Sequence, residues 1–185
     1  MKKILLLTLL FSVTLIHAQR EETIFQNMRF SGVWGSWNSM IGKVKNENVY
    51  FRGGYGGFEF GKDIFVGWGG YKSSSRISAD DFKYNMKWNG PVVSYAPSSY
   101  RALHPVFTLM VANGKLDPDN QPYDRILVVQ PSLGAELNLL RWCHASVHGG
   151  YRFVNDVDLA KYTDADFSSF YGELVLKFGI SWGRW

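Results

Sequence analysis

Between Leu127 and Leu139 the chain alternates: Leu127, Val129, Pro131, Leu133, Ala135, Leu137 and Leu139 fall on one side, and Gln130, Ser132, Gly134, Glu136 and Asn138 on the other. A period of two is the signature of a β-strand, and this one is about twice the usual length of a globular strand. So long an apolar face must meet either a core or lipid. The same scheme returns near the end of the chain, where Leu174, Leu176, Phe178, Ile180 and Trp182 oppose Glu173, Val175, Lys177 and Gly179. Between the two, Ala145, Val147, Gly149, Tyr151 and Phe153 oppose His144, Ser146, His148, Gly150 and Arg152.

Reading the whole chain for period two gives eight candidate strands. They run from Arg29 to Ser39, Val49 to Phe60, Asp63 to Lys72, Asp81 to Tyr95, Pro105 to Asn113, Arg125 to Leu140, Cys143 to Asn155 and Phe170 to Trp182. The links Gly61-Lys62 and Arg141-Trp142 are very short. Those at Met40 to Asn48, Ser73 to Asp80, Gly114 to Asp124 and Asp156 to Ser169 are longer and mostly polar. Short turns alternating with long loops, on an even number of strands, predict an all-β fold: an eight-stranded antiparallel up-and-down transmembrane β-barrel. The link Ala96 to His104 breaks the alternation, since it should be short. A soluble sandwich or a lipocalin-like barrel has the same periodicity with its faces exchanged.

The N-terminus supplies an address. Lys2 and Lys3 precede an apolar run from Ile4 to Ile16 that ends at His17-Ala18, before the polar Gln19-Arg20-Glu21-Glu22. This is the layout of a secretory signal peptide, residues 1–18, cleaved after Ala18 to leave one domain, 19–185. The run is too short to span a bilayer, and no Cys follows it to carry a lipid anchor. No later stretch approaches the length of a spanning helix, so a membrane location must use strands. The formal charge of +4 falls to near +2 without Lys2 and Lys3, too weak and scattered in sequence to predict nucleic acid as a partner.

Seven Trp and 19 Gly fit this reading. Trp34, Trp37, Trp68, Trp88, Trp142, Trp182 and Trp185, with Tyr71, Tyr95 and Tyr151, are candidates for interfacial girdles. Gly53, Gly54, Gly56, Gly57, Gly67, Gly69, Gly70, Gly149 and Gly150 would relieve crowding in a narrow interior.

The stretches Phe30–Gly35, Tyr50–Phe58 and Phe65–Tyr71, with Val129–Asn138, Gly150–Val154 and Leu176–Gly179, resemble small outer-membrane β-barrel proteins of unassigned function from Bacteroidetes-type bacteria. Pro131, Glu136, Asn138 and Tyr151-Arg152 form the most specific part of that likeness. It implies a fold and a location, the cell outer membrane, and carries no activity with it. Barrels of this kind usually end on an aromatic residue, yet Trp185 is out of phase with Trp182 and Ile180.

Three groups of residues invite a chemical reading. His144, Ser146 and His148 share a strand face, with Asp156 and Asp158 in the next loop, and distantly resemble the His-x-Ser arrangement of outer-membrane lipid A deacylases. The Asn that follows the Ser there is Val147 here, and lining a polar lumen is the simpler account. Two His four apart on a strand lie about 13 Å from each other, too far to share a metal. Asp117-Pro118-Asp119-Asn120 lacks the Gly and distal Glu of a calcium loop, and Cys143 has no partner. No cofactor or metal is expected. The remaining charges point inward if the apolar faces meet lipid, so Glu136, Arg152, Glu173 and Lys177 are expected to form a lumen ion-pair network that plugs the barrel. The functional expectation is a non-enzymatic structural or interaction protein with surface loops. Its partners would be membrane lipid, the outer-membrane insertion machinery and a protein not identified by the sequence. A soluble periplasmic lipocalin-like barrel holding an apolar ligand is the alternative, and a lipid hydrolase the third reading.

Overall fold

In a computed structural model the chain is described over residues 29–45, 47–74, 77–79, 82–118, 123–158 and 162–182. Nine strands and one short helix occupy them: β1 (Phe30–Val44), β2 (Glu47–Phe60), β3 (Ile64–Ser73), β4 (Ile77–Ala79), β5 (Phe82–Tyr95), β6 (Leu103–Pro118), β7 (Asp124–Leu140), β8 (Cys143–Asn155), α1 (Asp164–Phe167) and β9 (Ser169–Ser181). β4 pairs only with the start of β5 and extends that hairpin past the barrel wall. The other eight strands each pair antiparallel with their neighbours. β1 pairs with β9 from Gly32↔Ser181 to Gly42↔Tyr171, which closes the sheet into an eight-stranded up-and-down barrel. Closure leaves no edge strand in the wall, so its backbone groups find partners along every seam.

The expected strands all form, and most are longer than the alternation suggested at the loop end. β1 continues to Val44 and β2 resumes at Glu47, so the link expected as a long loop from Met40 to Asn48 is a tight turn around Lys45, which takes a positive φ of 53°. The alternation was already present in Met40, Gly42 and Val44, which are buried, but polar neighbours masked it. β6 likewise runs on to Pro118, which places Asp117 in a strand. Residues 119 and 120 of that acidic stretch, 183 to 185 with Trp185, and the segment 1–18 lie outside the described residues. The irregular link persists at the short-turn end, from Ala96 to Ala102. There Asn138 Nδ2 donates to the carbonyls of Ser99 and Arg101, pinning the link to the rim.

Facing follows the parity of the sequence. Leu133, Leu137, Val147, Leu174, Phe178 and Ile180 are exposed on the outer wall, Val147 at 64% and Ile180 at 67%. Glu136, Arg152 and Glu173 are buried inside it. A soluble barrel that holds an apolar ligand requires the reverse arrangement, so the lipocalin-like alternative does not describe this chain. Parity also corrects the aromatic girdle: Trp37, Trp68, Tyr95, Trp142 and Trp182 are exposed, but Trp34, Trp88 and Tyr71 point inward and are buried. An aromatic residue on an inward parity fills the lumen whatever its place along the strand.

The interior is narrow, and glycines decide what fits in it. A Cβ on Gly53 would sit 2.5 Å from the Tyr71 ring, one on Gly150 would sit 2.7 Å from the Tyr171 hydroxyl, and one on Gly179 would sit 2.6 Å from the Trp34 indole. Each of these inward glycines is the floor of a socket for an aromatic ring on the next strand. Towards the loop end the filling is apolar, with Val44, Phe51, Met86, Leu116, Val128, Val154 and Phe167 all fully buried. Phe167 enters from α1, which lies across that end of the barrel.

Leu133 stands half-way along the outward apolar series of β7. Leu133→Arg is expected to lower the stability of the protein folded in lipid vesicles by about 2–4 kcal/mol, as measured by denaturant unfolding. Leu133→Ala should cost far less.

Candidate functional site

The polar side chains of the lumen gather in layers stacked along the barrel axis. At the short-turn mouth Glu59 Oε1 accepts from Ser31 Oγ at 3.0 Å and from Ser181 Oγ at 2.5 Å, and Trp34 Nε1 donates to Ser181 Oγ at 3.1 Å. A cavity of about 900 Å³ opens here, lined by Glu59, Lys62, Glu136, His144 and Lys177 among others.

Glu136 is the centre of the next layer. Register places His104 and Ser146 on either side of it, from β6 and β8, and Lys177 of β9 opposite His144. Lys177 Nζ donates to both carboxylate oxygens at 3.0 Å, His144 Nδ1 lies 2.9 Å from Oε1, and His104 Nε2 lies 3.5 Å from the same oxygen. The carboxylate is 3% exposed, so its charge is carried by these nitrogens rather than by water. The Trp34 ring closes the layer, its centroid 4.4 Å from that of the His144 ring at a tilt of 40°, and with Lys177 Nζ 5.3 Å from its centroid.

Half-way along the axis Glu173 Oε1 accepts from Tyr71 Oη at 2.6 Å and from Asn38 Nδ2 at 2.8 Å. Beside it Ser146 Oγ lies 2.8 Å from His148 Nε2, and the other ring nitrogen lies 3.4 Å from Ser132 Oγ. Ser146 therefore meets His148, not His144, and Asp158 is tied by its backbone N–H to Asp124 at the far end. Among the described residues no carboxylate is hydrogen-bonded to the His148 ring. Both Ser146 and His148 are buried, at 3% and 4% exposure.

Arg152 forms the last polar layer, at the loop end, where it is fully buried. It donates from Nε and Nη2 to the Phe167 carbonyl at 3.1 Å, and from Nη2 to the Lys43 carbonyl at 2.9 Å and to Ser169 Oγ at 3.3 Å. Its guanidinium also stacks over Phe51, 4.7 Å from the ring centroid, and lies 5.5 Å from Trp88. One cation thereby ties β1, β8 and the α1–β9 junction into the plug.

All four residues expected to share an ion-pair network thus face the lumen, but the structure distributes them over three levels. Glu136 and Lys177 meet directly. Glu173 has Tyr71 and Asn38, and Arg152 lies six residues along β8 from Ser146, the partner of Glu136, or about 20 Å up the strand. His104 and Asn38 were not among the residues expected in the lumen, and Tyr71 was expected in the outer girdle. Parity marks each as inward once its strand is assigned, but its partner depends on the stagger between strands. Among the described residues no cluster of His, Cys, Asp and Glu has the geometry to hold a metal ion.

No protein-family model and no curated protein sequence matches the chain. Its fold has solved counterparts. The N-terminal β-barrel domain of Pseudomonas aeruginosa OprF superposes with a TM-score of 0.57 at 11% identity, over 80% of this chain and 97% of that one. Neisserial surface protein A superposes with a TM-score of 0.59 at 8% identity, over 82% and 97%. At such identities the likeness concerns the fold.

Lys177→Met would leave the Glu136 carboxylate without its principal cation, and unfolding in detergent or lipid should show a loss of about 3 kcal/mol. Adding Glu136→Gln to that variant should restore part of the loss. Arg152→Met leaves the carbonyls of Phe167 and Lys43 short of a donor, at about 1–3 kcal/mol for each orphaned acceptor. Amide exchange should then accelerate at Lys45 and Ser168, whose N–H groups bond to Asp166 and Asp164 carbonyls in α1.

Proposed function

We propose that this chain is a small non-enzymatic barrel of the bacterial outer membrane, a structural or interaction protein that displays its loops at the cell surface. The observation that carries this reading is the distribution of polarity. The outer wall is a band of exposed Leu, Val, Phe and Ile side chains, whereas the buried charges Glu136, Glu173 and Arg152 and the half-buried Lys177 lie inside with hydrogen-bond partners. Only a bilayer makes that arrangement favourable over so large an area. The signal-peptide layout of residues 1–18 supports export, and insertion machinery and membrane lipid are the partners it implies. The resemblance to small outer-membrane barrels of Bacteroidetes-type bacteria belongs to the same reading.

The filled lumen argues for a role on the outside of the barrel. Met40, Phe51, Met86, Trp88 and Leu116 close the loop half, and Trp88 Nε1 donates to Gln130 Oε1 at 2.5 Å across the bore. The mouth cavity lies at the other end of the bore, around Glu59, Glu136 and His144.

The protein expressed in a Gram-negative host should fractionate with outer membrane and migrate faster on a gel when unheated than when boiled. Recovery in the soluble periplasmic fraction would overturn the proposal. Purified protein should release no fatty acid from phospholipid or lipid A, and Ser146→Ala should leave that result unchanged. Fatty-acid release abolished by Ser146→Ala would replace this reading with a lipid hydrolase.

A further inference from the structure

On the outer wall, the pairing register aligns five basic residues in one unbroken row. Arg52 of β2 is opposite Lys72 of β3, Lys72 is opposite Lys87 of β5, Lys87 is opposite Lys115 of β6, and Lys115 is opposite Arg125 of β7. All five are exposed. Directly opposed side chains on neighbouring strands have Cβ atoms about 4.5–5.5 Å apart, a spacing at which like charges repel. Among the described residues no carboxylate lies within ion-pair distance of any of the five. Four such contacts in series are unfavourable in isolation, and a bound anion reverses their sign.

The surroundings define that anion. Over β5, β6 and β7 a depression of about 650 Å³ is lined by Lys87, Asn89, Asn113, Lys115 and Arg125, so three cations and two amides converge on one place. Tyr123 stands at its upper edge, with Lys115 Nζ 4.4 Å and the Arg125 guanidinium 6.0 Å from its ring centroid. A hydrogen bond from Arg125, with the charges of Arg125 and Lys115, holds the Tyr123 phenol below its usual range. Towards the short-turn end the same outward parities become apolar: Val111, Leu109 and Phe107 on β6, then Leu127, Val129 and Leu133 on β7. The strands of such barrels tilt by about 35–45°, so the row climbs the wall obliquely and spans a range of depths. Cations above and an apolar wall below suit a molecule with an anionic head and acyl chains.

We infer that the row Arg52–Lys72–Lys87–Lys115–Arg125 is a binding surface for the phosphorylated head group of an outer-leaflet lipid, seated over β5 to β7 with its acyl chains along β6 and β7. The inference rests on the membrane reading above and adds a ligand class and the residues that hold it.

The test uses the full mature protein folded in phosphatidylcholine nanodiscs, with bisphosphorylated lipid A as the probe. Native mass spectrometry and the temperature at which the unheated gel form is lost both report binding. Lipid A should be retained selectively over phosphatidylcholine, and its hold should weaken as salt rises. In the Lys87→Gln/Lys115→Gln/Arg125→Gln variant each lost cation should cost about fivefold in affinity, or roughly a hundredfold together. These side chains are exposed, so the variant should keep its heat-shifted band. A second variant, Lys115→Glu alone, provides the same comparison where the triple variant folds poorly. Undiminished retention by either folded variant overturns the inference, as does equal retention of phosphatidylcholine and lipid A by the unmutated protein. Tighter binding of a soluble sulfated oligosaccharide than of lipid A overturns the lipid assignment. In every one of these outcomes a retained heat-shifted band leaves the barrel reading intact, so the two failures are distinguishable.

Discussion

The seam between β1 and β9 is the contact on which the remaining structure depends. Without the pairs from Gly32↔Ser181 to Gly42↔Tyr171 the sheet would present two long edges, each a row of unpaired N–H and C=O groups that hydrocarbon cannot satisfy. With them, side chains of alternate parity are committed, one set to the outside and the other to a bore of fixed width. The seam also sets the stagger of the last strand against the first. That stagger brings Ser181 to Trp34 and Glu59, and Glu173 to Asn38 and Tyr71.

A bore of eight strands is filled by its own side chains, and this chain fills it in two different ways. The half nearest the loops packs apolar side chains around the buried Arg152, whose charge is spread over backbone carbonyls and aromatic faces. The half nearest the short turns holds carboxylates, each with its own donors, and opens to a vestibule. Such groups are stable in the interior only while every member is satisfied, because a lone charge there has little water to fall back on. Polar residues therefore serve the barrel as a structural filling, and what it presents to its surroundings is the wall and the loop end.

The outer wall has a polarity boundary of its own. Asn89 and Asn113 lie opposite each other one outward position below Lys87 and Lys115, between the basic row and the apolar band. The strands carry on past the band, so the wall projects beyond the hydrocarbon as a stiff ribbon rather than dissolving into loops. β4 and the first residues of β5 extend this ribbon further. Charged groups on such a ribbon are held in fixed register, which a flexible loop cannot provide.

Much of the fold is legible in the residues themselves, because a side-chain period of two is a local property. The span Cys143–Asn155 coincides with β8, and the parity of Leu133, Leu137, Glu136 and Lys177 alone decided which way each one points. Register is not local. It depends on the lengths of turns and on the packing of rings into glycine sockets, so the sequence placed Glu136, Arg152, Glu173 and Lys177 in one compartment without revealing that Arg152 lies about 20 Å along the strand from the Glu136 layer. Nor could it show that Ser146 meets His148, or that Trp34 and Trp88 fill the bore, before strand boundaries fixed their parity. The basic residues show the division most clearly. Arg52, Lys72, Lys87, Lys115 and Arg125 are scattered over more than a third of the chain and look unremarkable in a charge count, yet the hydrogen-bond ladder of five strands sets them side by side. The sequence by itself determined which residues face lipid and which face the lumen, since that follows from alternation. Only the tertiary structure decided which of them touch, since that follows from the stagger of closed strands.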